Sequence, residues 1–476
     1  MEQLYLISQN TALILVLVSS LIFAVIGILH SRKYRGHSNY LVAGRKIGVF
    51  SLTSSLVASA LGAWILFGPA SAATWGGLGS VVGYSLGTAF PMIALIYLGK
   101  KIRKNFPSGI TFTQFIFHRI GKKLFKFILL LSTFYMFIFL CAEVTAVAML
   151  INYISNVPLW ITSILVILAT LIYTLYGGLR ASVFTDNFQF VIIMVLLFVC
   201  MYNIFATDLI SYELIKKENG NLLSSSYIPN YTAGLTFFIA VAATNLFHQG
   251  NWQRVFAAKN YNVLRMSLKL SFLIIIPVVF LMGITGIIAI SIDNKVNPDL
   301  AFFSLLLNDK SELLSISIVI LATSLTISTV DTIVNAISSL ILVDGNKINK
   351  NFKSSKGIVI FLSIIAMFIA SKGFSVLYLF LLADLLCCAA VFPVFYGFFK
   401  KNLNERVLIK AIIAGLLLGS LFFPNPDFSN SILVGTILPF DLFPQIISSS
   451  LLFWSFLLAT VGPVIVIIRN DSFKRR

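Results

Sequence analysis

The residues LTISTVD at Leu325–Asp331 place two adjacent hydroxyls and a carboxylate inside an apolar segment that runs from about residue 313 to residue 343. An ionised carboxylate within the hydrocarbon of a membrane costs several kcal/mol unless it faces a protein interior, a water-filled cavity or an ion. The stretch therefore predicts a membrane-spanning helix that passes beside something polar. A small cation is the simplest candidate for that neighbour.

Apolar segments recur along the whole chain, which is 58% apolar and only 11% charged. A stretch of about 18 or more apolar residues can cross roughly 30 Å of lipid as a helix. The sequence therefore predicts an all-α integral membrane protein with about 13 transmembrane helices. The predicted spans lie at about 10–30, 48–73, 78–99, 124–154, 160–177, 184–206, 231–249, 267–291, 311–343, 357–371, 375–398, 407–423 and 446–468.

The positive charge is unevenly distributed along this predicted topology. A net charge of +18 can indicate nucleic acid binding, but alternating the connections places all but five of the 35 basic residues on one side of the membrane. Basic residues stay on the cytoplasmic side. The amino terminus is therefore expected outside and the carboxyl terminus in the cytoplasm, and no nucleic acid partner is expected. The five exceptions are Lys216, Lys217, Lys295, Lys310 and Lys372.

Two of the predicted spans are interrupted by polar residues and glycines. The second span contains SALGAW at Ser59–Trp64, and the seventh contains TNLFHQG at Thr244–Gly250. A single interruption usually marks a kink, but paired interrupted helices at matching positions of two repeats are typical of secondary transporters. Each interrupted span opens a group of five spans. The predicted units are a leading helix at 10–30, a first inverted repeat at 48–206, a second inverted repeat at 231–398 and two trailing helices at 407–468.

The hydroxyl pair within the opening stretch can serve either of two purposes. Ser328 and Thr329 are about 100° apart on a helix, and Leu325 lies one turn earlier. A carbonyl freed near Leu325 would complete a cluster of neutral oxygens, which hard cations favour. Alternatively, each hydroxyl bonds back to the carbonyl four residues earlier, as Ser and Thr in membrane helices often do. The residues leave both possibilities open.

Five motifs, in order along the chain, resemble those of the sodium:solute symporter family. They are NYLVAGRKIG at Asn39–Gly48, SALGAWILFGPA at Ser59–Ala70, YGGLRASVFTDNFQ at Tyr176–Gln189, QRVFAAKN at Gln253–Asn260 and LTISTVDTIVNAISSLILVD at Leu325–Asp344. The second motif is similar to the first core helix of the proline-permease branch. The resemblance covers residues from about 10 to 470.

The resemblance implies the leucine-transporter architecture of two inverted five-helix repeats. It also implies a sodium site on the carbonyls of Ala58, Leu61 and Leu325 and the hydroxyls of Ser328 and Thr329. Each of these positions can supply the required oxygen. Sodium is thus the expected coupling ion, and no other cofactor is expected.

The resemblance further suggests a second sodium site. Family members that couple to a second sodium use the position that matches Asp331, with a hydroxyl there, together with the position that matches Asp186. Asp331 follows Ser328 by one helical turn, on the same face. Asp186 has an alternative as an acid near a helix amino terminus beside Arg180, where a negative charge is favourable.

Substrate contacts are expected where the two interrupted spans break. His248, Gln249 and Asn251 lie at the break in span seven, and Trp64 and Ile65 lie at the matching place in span two. The family places substrate contacts there. A lone histidine at a break can instead cap freed backbone groups.

Two further acids, Glu143 and Asp384, lie inside predicted spans. Either can contact a cationic or amide-bearing substrate or relay protons. Each can equally pair with a buried donor as a structural element. The branch of the family that transports proline has an acid where this chain has Ala60, so proline itself is not singled out.

These features together predict a sodium-coupled symporter that imports a small polar organic solute across the inner membrane of a bacterium. Its expected partners are the solute, sodium and membrane lipid, and neither an enzymatic activity nor a required protein partner is expected. The family serves amino acids such as proline, urea, monocarboxylates, choline-like cations and pantothenate. Two alternatives remain: a proton-coupled transporter that titrates Asp331 or Glu143, and a sensor with the same fold.

Overall fold

The computed structural model describes residues 6–34, 36–206, 212–348, 355–400 and 403–473. Within these ranges the chain is helical and forms no β-strand. The helices are α1 (Gln9–Ser31), α2 (His37–Val42), α3 (Val49–Ala60), α4 (Gly68–Asn105), α5 (Phe112–Arg119), α6 (Lys122–Ser155), α7 (Leu159–Phe205), α8 (Tyr212–Asn219), α9 (Ile228–Phe247), α10 (Gln249–Ala257), α11 (Tyr261–Ile292), α12 (Ala301–Leu306), α13 (Glu312–Ser339), α14 (Asn346–Ile348), α15 (Ser355–Ala370), α16 (Val376–Phe399), α17 (Glu405–Phe422), α18 (Gln445–Ser448) and α19 (Leu451–Phe473).

Many of these helices are long and apolar enough to cross a membrane. The all-helical membrane fold is therefore confirmed, and every predicted span falls on helical chain, whereas the number thirteen stays a prediction. Fewer helices of the described chain meet the length and hydropathy of a span than the thirteen predicted. One reason is that α4 and α7 each contain a break, so that one long helix corresponds to two predicted spans. In the described part of the chain, the helices that meet the length and hydropathy required of a span are Gln9–Ser31, Gly68–Asn105, Lys122–Ser155, Leu159–Phe205, Tyr261–Ile292, Glu312–Ile348, Val376–Phe399 and Leu451–Asn470.

The helices α4 and α7 are each too long for a single membrane crossing. At 38 and 47 residues they would extend about 57 and 70 Å as straight helices, against roughly 30 Å of hydrocarbon. Each contains one glycine at positive φ, Gly77 at 56° and Gly178 at 60°. A Cβ at either glycine would lie 2.4 Å from a backbone oxygen, that of Leu222 or Tyr40. These two breaks fall at the predicted boundaries between spans.

Both predicted interruptions are confirmed. Helix α3 ends at Ala60, and the backbone of Leu61 leaves the helical region with ψ 81° before a 3-10 turn at Ala63–Leu66. Helix α9 ends at Phe247, and His248 has ψ 112° before α10 begins. A backbone that leaves the helix inside a membrane protein must line a cavity or contact protein.

Helix α13 packs against both interruptions. It contacts α3 and the turn at Ala63–Leu66 on one side and α10 on another, and it also packs against α6 and α7. Because α13 carries the stretch Leu325–Asp331, the hydroxyls and carboxylate of that stretch lie in the protein interior beside the two breaks. The division into repeats at 48–206 and 231–398 stays a prediction.

Candidate ion and solute sites

The break after α3 is held by a buried acid. Ala63 N donates a 2.9 Å hydrogen bond to Glu143 Oε2, and a Cβ at Gly62 would lie 2.1 Å from Glu143 Oε1. The Glu143 side chain is fully buried. Between the two roles that the sequence left open, Glu143 thus makes the structural contact, since its carboxylate accepts an amide that the broken helix no longer satisfies.

The predicted sodium ligands of α3 lie at this same break. The last backbone bond back into α3 is from Leu61 N to Val57 O, at 2.9 Å. In the described structure Gly62 N makes no bond to Ala58 O, and Ala63 N donates to Glu143 instead. The carbonyls of Ala58 and Leu61 therefore carry free lone pairs in a fully buried position.

The two predicted hydroxyl ligands of α13 do not bond back to their own helix. Ser328 Oγ donates a 2.6 Å hydrogen bond to Asp186 Oδ1. Thr329 Oγ1 is buried and has no hydrogen-bond partner among the described residues. The contrast lies one turn away, where Ser324 Oγ donates to Ile320 O at 2.8 Å. Ser328 and Thr329 thus have oxygens whose lone pairs remain available to a cation. Leu325 lies inside the continuous helix Glu312–Ser339, so its carbonyl is not freed as the sequence suggested, and it can offer a cation only the lone pair that the helix does not use,.

A fully buried ion pair stands next to Ser328. Arg254 Nη2 lies 3.1 Å from Asp186 Oδ2, and both side chains are 0% exposed. Ser55 Oγ donates to Asp186 Oδ2 at 2.5 Å, and Arg254 donates to Ser55 Oγ at 2.7 Å and to Thr332 Oγ1 at 2.8 Å. The charge pattern of the sequence assigned Arg254 to a cytoplasmic connection, which is wrong. The feature of the sequence that could have indicated this role is the position of Arg254 directly after the interruption. A guanidinium that is buried there is stable only if an acid pairs with it.

Asp331 has a different environment from Asp186. Tyr173 Oη donates to Asp331 Oδ2 at 2.5 Å, and Ser182 Oγ donates to Oδ1 at 2.8 Å. No basic side chain pairs with Asp331 in the ranges that the structure describes. The two acids predicted as a second sodium site are connected through two other side chains. Thr332 Oγ1 lies 3.3 Å from Asp331 Oδ1 and accepts a hydrogen bond from Arg254, which pairs with Asp186. Of the two, Asp186 already has a cationic partner.

An inner cavity lies between the two interruptions. Its volume of about 30 Å³ suffices for a water molecule and excludes an organic solute unless the walls move apart. Trp64, His248 and Asn251 line it, as predicted for substrate contacts, and Thr329 lines it as well. The full lining is Ser59, Ala60, Trp64, Tyr84, Phe139, Val241, Asn245, His248, Asn251, Thr329, Phe380 and Asp384.

Two residues predicted as substrate contacts lie outside this cavity. The Gln249 amide accepts from Phe112 N at 3.0 Å and donates to Ile110 O and Ser339 Oγ, each at 3.3 Å. Gln249 therefore fixes the turn before α5. Ile65 is fully buried in the core beside Trp64. A residue at a helix break faces one side only, and the sequence does not show which.

Three aromatic residues of the cavity wall, Tyr84, Phe139 and Phe380, were not predicted from the sequence. Trp64 stacks on Tyr84 with ring centroids 5.4 Å apart, and Phe139 meets Phe380 edge to face at 4.6 Å. In a chain with 43 phenylalanines, the position of an aromatic residue in the sequence does not indicate whether it lines a cavity. Asp384, by contrast, was visible as an intramembrane acid, and it is 4% exposed in the lining of this cavity.

Paired helix interruptions around a buried oxygen cluster define a multi-pass membrane protein that transports solutes. The chain matches the family model of the sodium:solute symporter family over residues 40–415. It therefore belongs to that family, as the five sequence motifs predicted.

Several curated relatives are similar to this chain. A spermidine transporter, DUR31, of Candida albicans is 26% identical over 376 residues, which are 78% of this chain and 71% of the relative. A sodium/glucose cotransporter of Vibrio parahaemolyticus is 28% identical over 202 residues, 38% of this chain and 35% of the relative. Sodium/glucose cotransporter 4 of Danio rerio is 25% identical over 199 residues, 41% and 30% of the two chains. The match thus spans about a third of each glucose cotransporter.

Solved structures share the fold. A Na⁺-coupled sialic acid symporter in a substrate-bound outward-open state has a TM-score of 0.72 at 15% identity, with 96% of each chain covered. A transporter of the nucleobase-cation-symport-1 family, in a closed conformation with bromovinylhydantoin bound, has a TM-score of 0.55 at 16% identity, with 91% of this chain and 96% of that one covered. The predicted leucine-transporter-type fold is confirmed.

Proposed function

We propose that this protein is a sodium-coupled symporter that moves a small polar organic solute. Sodium binds between α3 and α13, on the carbonyls of Ala58, Leu61 and Leu325 and the hydroxyls of Ser328 and Thr329. The observation that carries the proposal is the buried Thr329 hydroxyl. It has no hydrogen-bond partner within the described residues, and its side chain also lines the inner cavity.

The chemistry of these oxygens supports sodium as the ligand. Carbonyl and hydroxyl oxygens are neutral, hard donors, which suit a hard cation. Ser328 uses its hydroxyl hydrogen in the bond that it donates to Asp186, so the serine oxygen acts as an acceptor in its remaining contacts,. Leaving a buried hydroxyl such as that of Thr329 unsatisfied costs roughly 1–3 kcal/mol, and a bound cation would satisfy the lone pairs of its oxygen.

Coupling follows from the position of Thr329 between two ligands. Sodium would draw the end of α3 toward α13 and so fix Trp64, which follows the break and lines the cavity. A solute in the cavity would then bind to walls that are already ordered, so each ligand favours the binding of the other. In this mechanism the repeats at 48–206 and 231–398 move relative to each other, and no covalent bond changes.

A second sodium can bind beside Asp331. The carboxylate is held by the hydroxyls of Tyr173 and Ser182 and lacks a basic partner in the described chain. Asp186 is the other proposed ligand, although its charge is matched by Arg254. The second site therefore depends mainly on Asp331.

Orientation and location are part of the proposal. The excess of basic residues on one set of connections supports an amino terminus outside and a carboxyl terminus in the cytoplasm,. A bacterial inner membrane is the proposed location, with the solute carried inward along the sodium gradient. The solutes named for the relatives differ in charge, since spermidine is a polyamine and glucose is neutral. These names leave the charge of the solute open.

Proton coupling is the second candidate, because Asp331 is a buried acid without a basic partner in the described residues. A proton on that carboxylate would remove its charge as well as a sodium ion would. In this case the gradient that drives uptake would be one of pH.

Purified protein in proteoliposomes distinguishes the two. A panel of labelled amino acids, amines, sugars and urea is offered with an inward sodium gradient, an inward proton gradient, or a potassium gradient of equal ionic strength. We expect concentrative uptake with sodium alone. Uptake driven by the proton gradient, and unchanged when potassium replaces sodium, would overturn the sodium proposal. Thermal unfolding in sodium against potassium chloride gives a solute-free measure of the same site, with a higher midpoint expected in sodium.

A further inference from the structure

Asp384 is an acid in the wall of the inner cavity that the sodium site does not use. It lies on α16 and is 4% exposed. No Lys, Arg or His side chain of the described chain lies within ion-pair distance of its carboxylate. The cavity lining contains no Lys or Arg, and its one histidine, His248, makes no ion pair with Asp384. A buried carboxylate of this kind is stable when a ligand supplies the missing positive charge.

The remaining walls of the cavity suit a cation as well. Four aromatic rings surround the space, with Trp64 stacked on Tyr84 at 5.4 Å and Phe380 lying 6.5 Å from Trp64 and 4.6 Å from Phe139. Aromatic faces attract ammonium groups within about 6 Å, and the attraction grows when both partners are removed from water. A carboxylate beside a cluster of rings is therefore a binding site for an organic cation.

A second, wider cavity continues the negative character toward the loops that the topology places outside. Its volume is about 590 Å³, and Asp299, Asp427, Trp75 and Tyr227 are in its lining, which includes no Lys or Arg. Hydrogen bonds from Ser429 hold the pKa of Asp427 below its usual range, whereas burial raises the pKa of Asp299. Asp427 thus keeps its negative charge to lower pH than Asp299 does.

The two cavities follow one another along the same helices. On α9, Thr236 lines the outer cavity and Val241 the inner one, which is about 7.5 Å along the helix axis. On α16, Leu377 lines the outer cavity and Phe380 the inner one, about 4.5 Å apart along the axis. The route from the outer loops to the inner cavity therefore passes Asp299, Asp427 and then Asp384.

The charge of this route is opposite to that of the whole chain. The protein has a net charge of +18, yet every lining residue with a full charge along the route is an acid. Clefts lined by one sign of charge concentrate ligands of the opposite sign and speed their arrival. A neutral or anionic solute would gain nothing from this arrangement.

We propose that the transported solute is an organic ammonium ion, whose nitrogen binds between the Asp384 carboxylate and the rings of Trp64, Tyr84, Phe139 and Phe380. Asp299 and Asp427 attract it to the outer cavity. The assignment of the solute class rests on the proposed transport function. The rings must separate for the solute to enter, because the inner cavity of about 30 Å³ has room only for water.

The test compares an amine with its neutral isostere. Binding of 1,4-diaminobutane and 1,4-butanediol is measured by calorimetry on the full chain in lipid nanodiscs, in sodium chloride and in potassium chloride, with longer and shorter amines and their alcohols as a series. We expect amines to bind the unmodified protein and the alcohols not to bind. Asp384→Asn keeps the size of the side chain and should weaken amine binding about thirtyfold or more, as loss of one partner of a buried charge pair does.

A matched control removes an equally buried acid elsewhere. Asp344 accepts hydrogen bonds from Thr111 and Thr113 and lies outside both cavities, so Asp344→Asn should leave amine affinity within about twofold. If Asp384→Asn does not fold, the double variant Asp299→Asn with Asp427→Asn tests the same proposal. It should slow amine association at low ionic strength and match the unmodified protein at high ionic strength.

Three outcomes would overturn the proposal: no amine binds, the alcohols bind as well as the amines, or Asp384→Asn binds amines unchanged. Failure of the sodium mechanism has a different signature. Amine binding that depends on Asp384 but is the same in sodium and in potassium keeps the ammonium assignment and rejects sodium coupling. Sodium-driven uptake of a neutral solute, with no amine bound, keeps sodium coupling and rejects the ammonium assignment.

Discussion

Ser328 Oγ on α13 donates a 2.6 Å hydrogen bond to Asp186 Oδ1 on α7. The other oxygen of Asp186 lies 3.1 Å from Arg254, which belongs to α10 directly after the second interruption. A residue proposed to bind sodium is thereby connected to the half-helix that carries Asn251, which lines the inner cavity. One buried chain of polar contacts connects the two proposed sites.

Removal of the proposed sodium ligands should weaken sodium activation. Ser328→Ala and Thr329→Ala each delete an oxygen, and each should raise the sodium concentration for half-maximal uptake about tenfold, the scale of one contact to a charged group. Alanine favours helix, so expression should not fall. The control is Ser324→Ala, because Ser324 Oγ bonds to Ile320 O. An unchanged sodium response in the double variant would disprove the oxygen cluster as a sodium site.

The buried ion pair should respond as a unit. Asp186→Asn leaves the Arg254 guanidinium buried without its partner, which costs about 3–5 kcal/mol of stability. The double variant Asp186→Asn with Arg254→Gln should recover much of that loss, as measured by thermal unfolding of the purified protein. The exposed pair of Lys217 and Glu218, 3.8 Å apart, is the comparison, and Glu218→Gln should have no measurable effect. Strictly additive losses would argue against direct coupling.

The break after α3 should tolerate no side chain at Gly62. A Cβ there would lie 2.1 Å from Glu143 Oε1, so Gly62→Ala must displace the carboxylate that accepts from Ala63 N. We expect a loss of uptake of about tenfold or more, since the carbonyls of the proposed sodium site lie beside this turn. Gly48→Ala is the matched control, because nothing lies within 4 Å of its Cβ position. Equal activity of the two variants would show that Glu143 does not fix the break.

Cysteine labelling should map the inner cavity. In a background without Cys141, Cys200, Cys387 and Cys388, all of them buried, single cysteines replace the cavity residues Trp64, His248 and Asn251. Solute in the presence of sodium should protect these cysteines from a membrane-impermeant thiol reagent. The controls are cysteines at Ile65 and Gln249, which lie outside the cavity and should label slowly whether or not solute is present. If neither sodium nor solute changes the labelling of the three cavity positions, the solute does not bind in this cavity.

The stoichiometry of sodium should depend on Asp331. A carboxylate in low dielectric favours a second cation, so the Hill coefficient for sodium-driven uptake is expected above one and should fall to one in Asp331→Asn. Asp344→Asn, another buried acid held by hydroxyls, should keep the value of the unmodified protein. A coefficient of one that Asp331→Asn does not alter would leave Asp331 a structural residue and, with Arg254 beside Asp186, a single sodium site.

Local properties of the chain determined most of the fold. The length of each apolar segment fixes whether it can cross lipid, and the predicted spans accordingly lie on helices. The residues SALGAW at Ser59–Trp64 and TNLFHQG at Thr244–Gly250 disfavour continuous helix by their own chemistry. Both helix breaks are therefore found at these places.

Only the tertiary structure decided which polar side chains meet. Arg254 is basic and follows a predicted span, so the charge pattern predicts a cytoplasmic position for it. In the structure, Arg254 lies on α10 and pairs with Asp186 in the protein interior. Gln249 and His248 are neighbours at the same break, but they face opposite ways, one toward the turn before α5 and the other into the cavity. The direction of a side chain at a broken helix depends on the packing of other helices around it, which no local pattern encodes.

The inner cavity is the clearest case of this division. Its rings come from three separate helices and the turn that follows α3: Trp64 from the turn, Tyr84 from α4, Phe139 from α6 and Phe380 from α16. The sequence by itself determined that this protein is a helical membrane transporter of the sodium:solute symporter family, because hydrophobic length and short motifs are local. The tertiary structure decided that these rings line the same cavity as Asp384, because contacts between residues far apart in sequence form only when the helices pack.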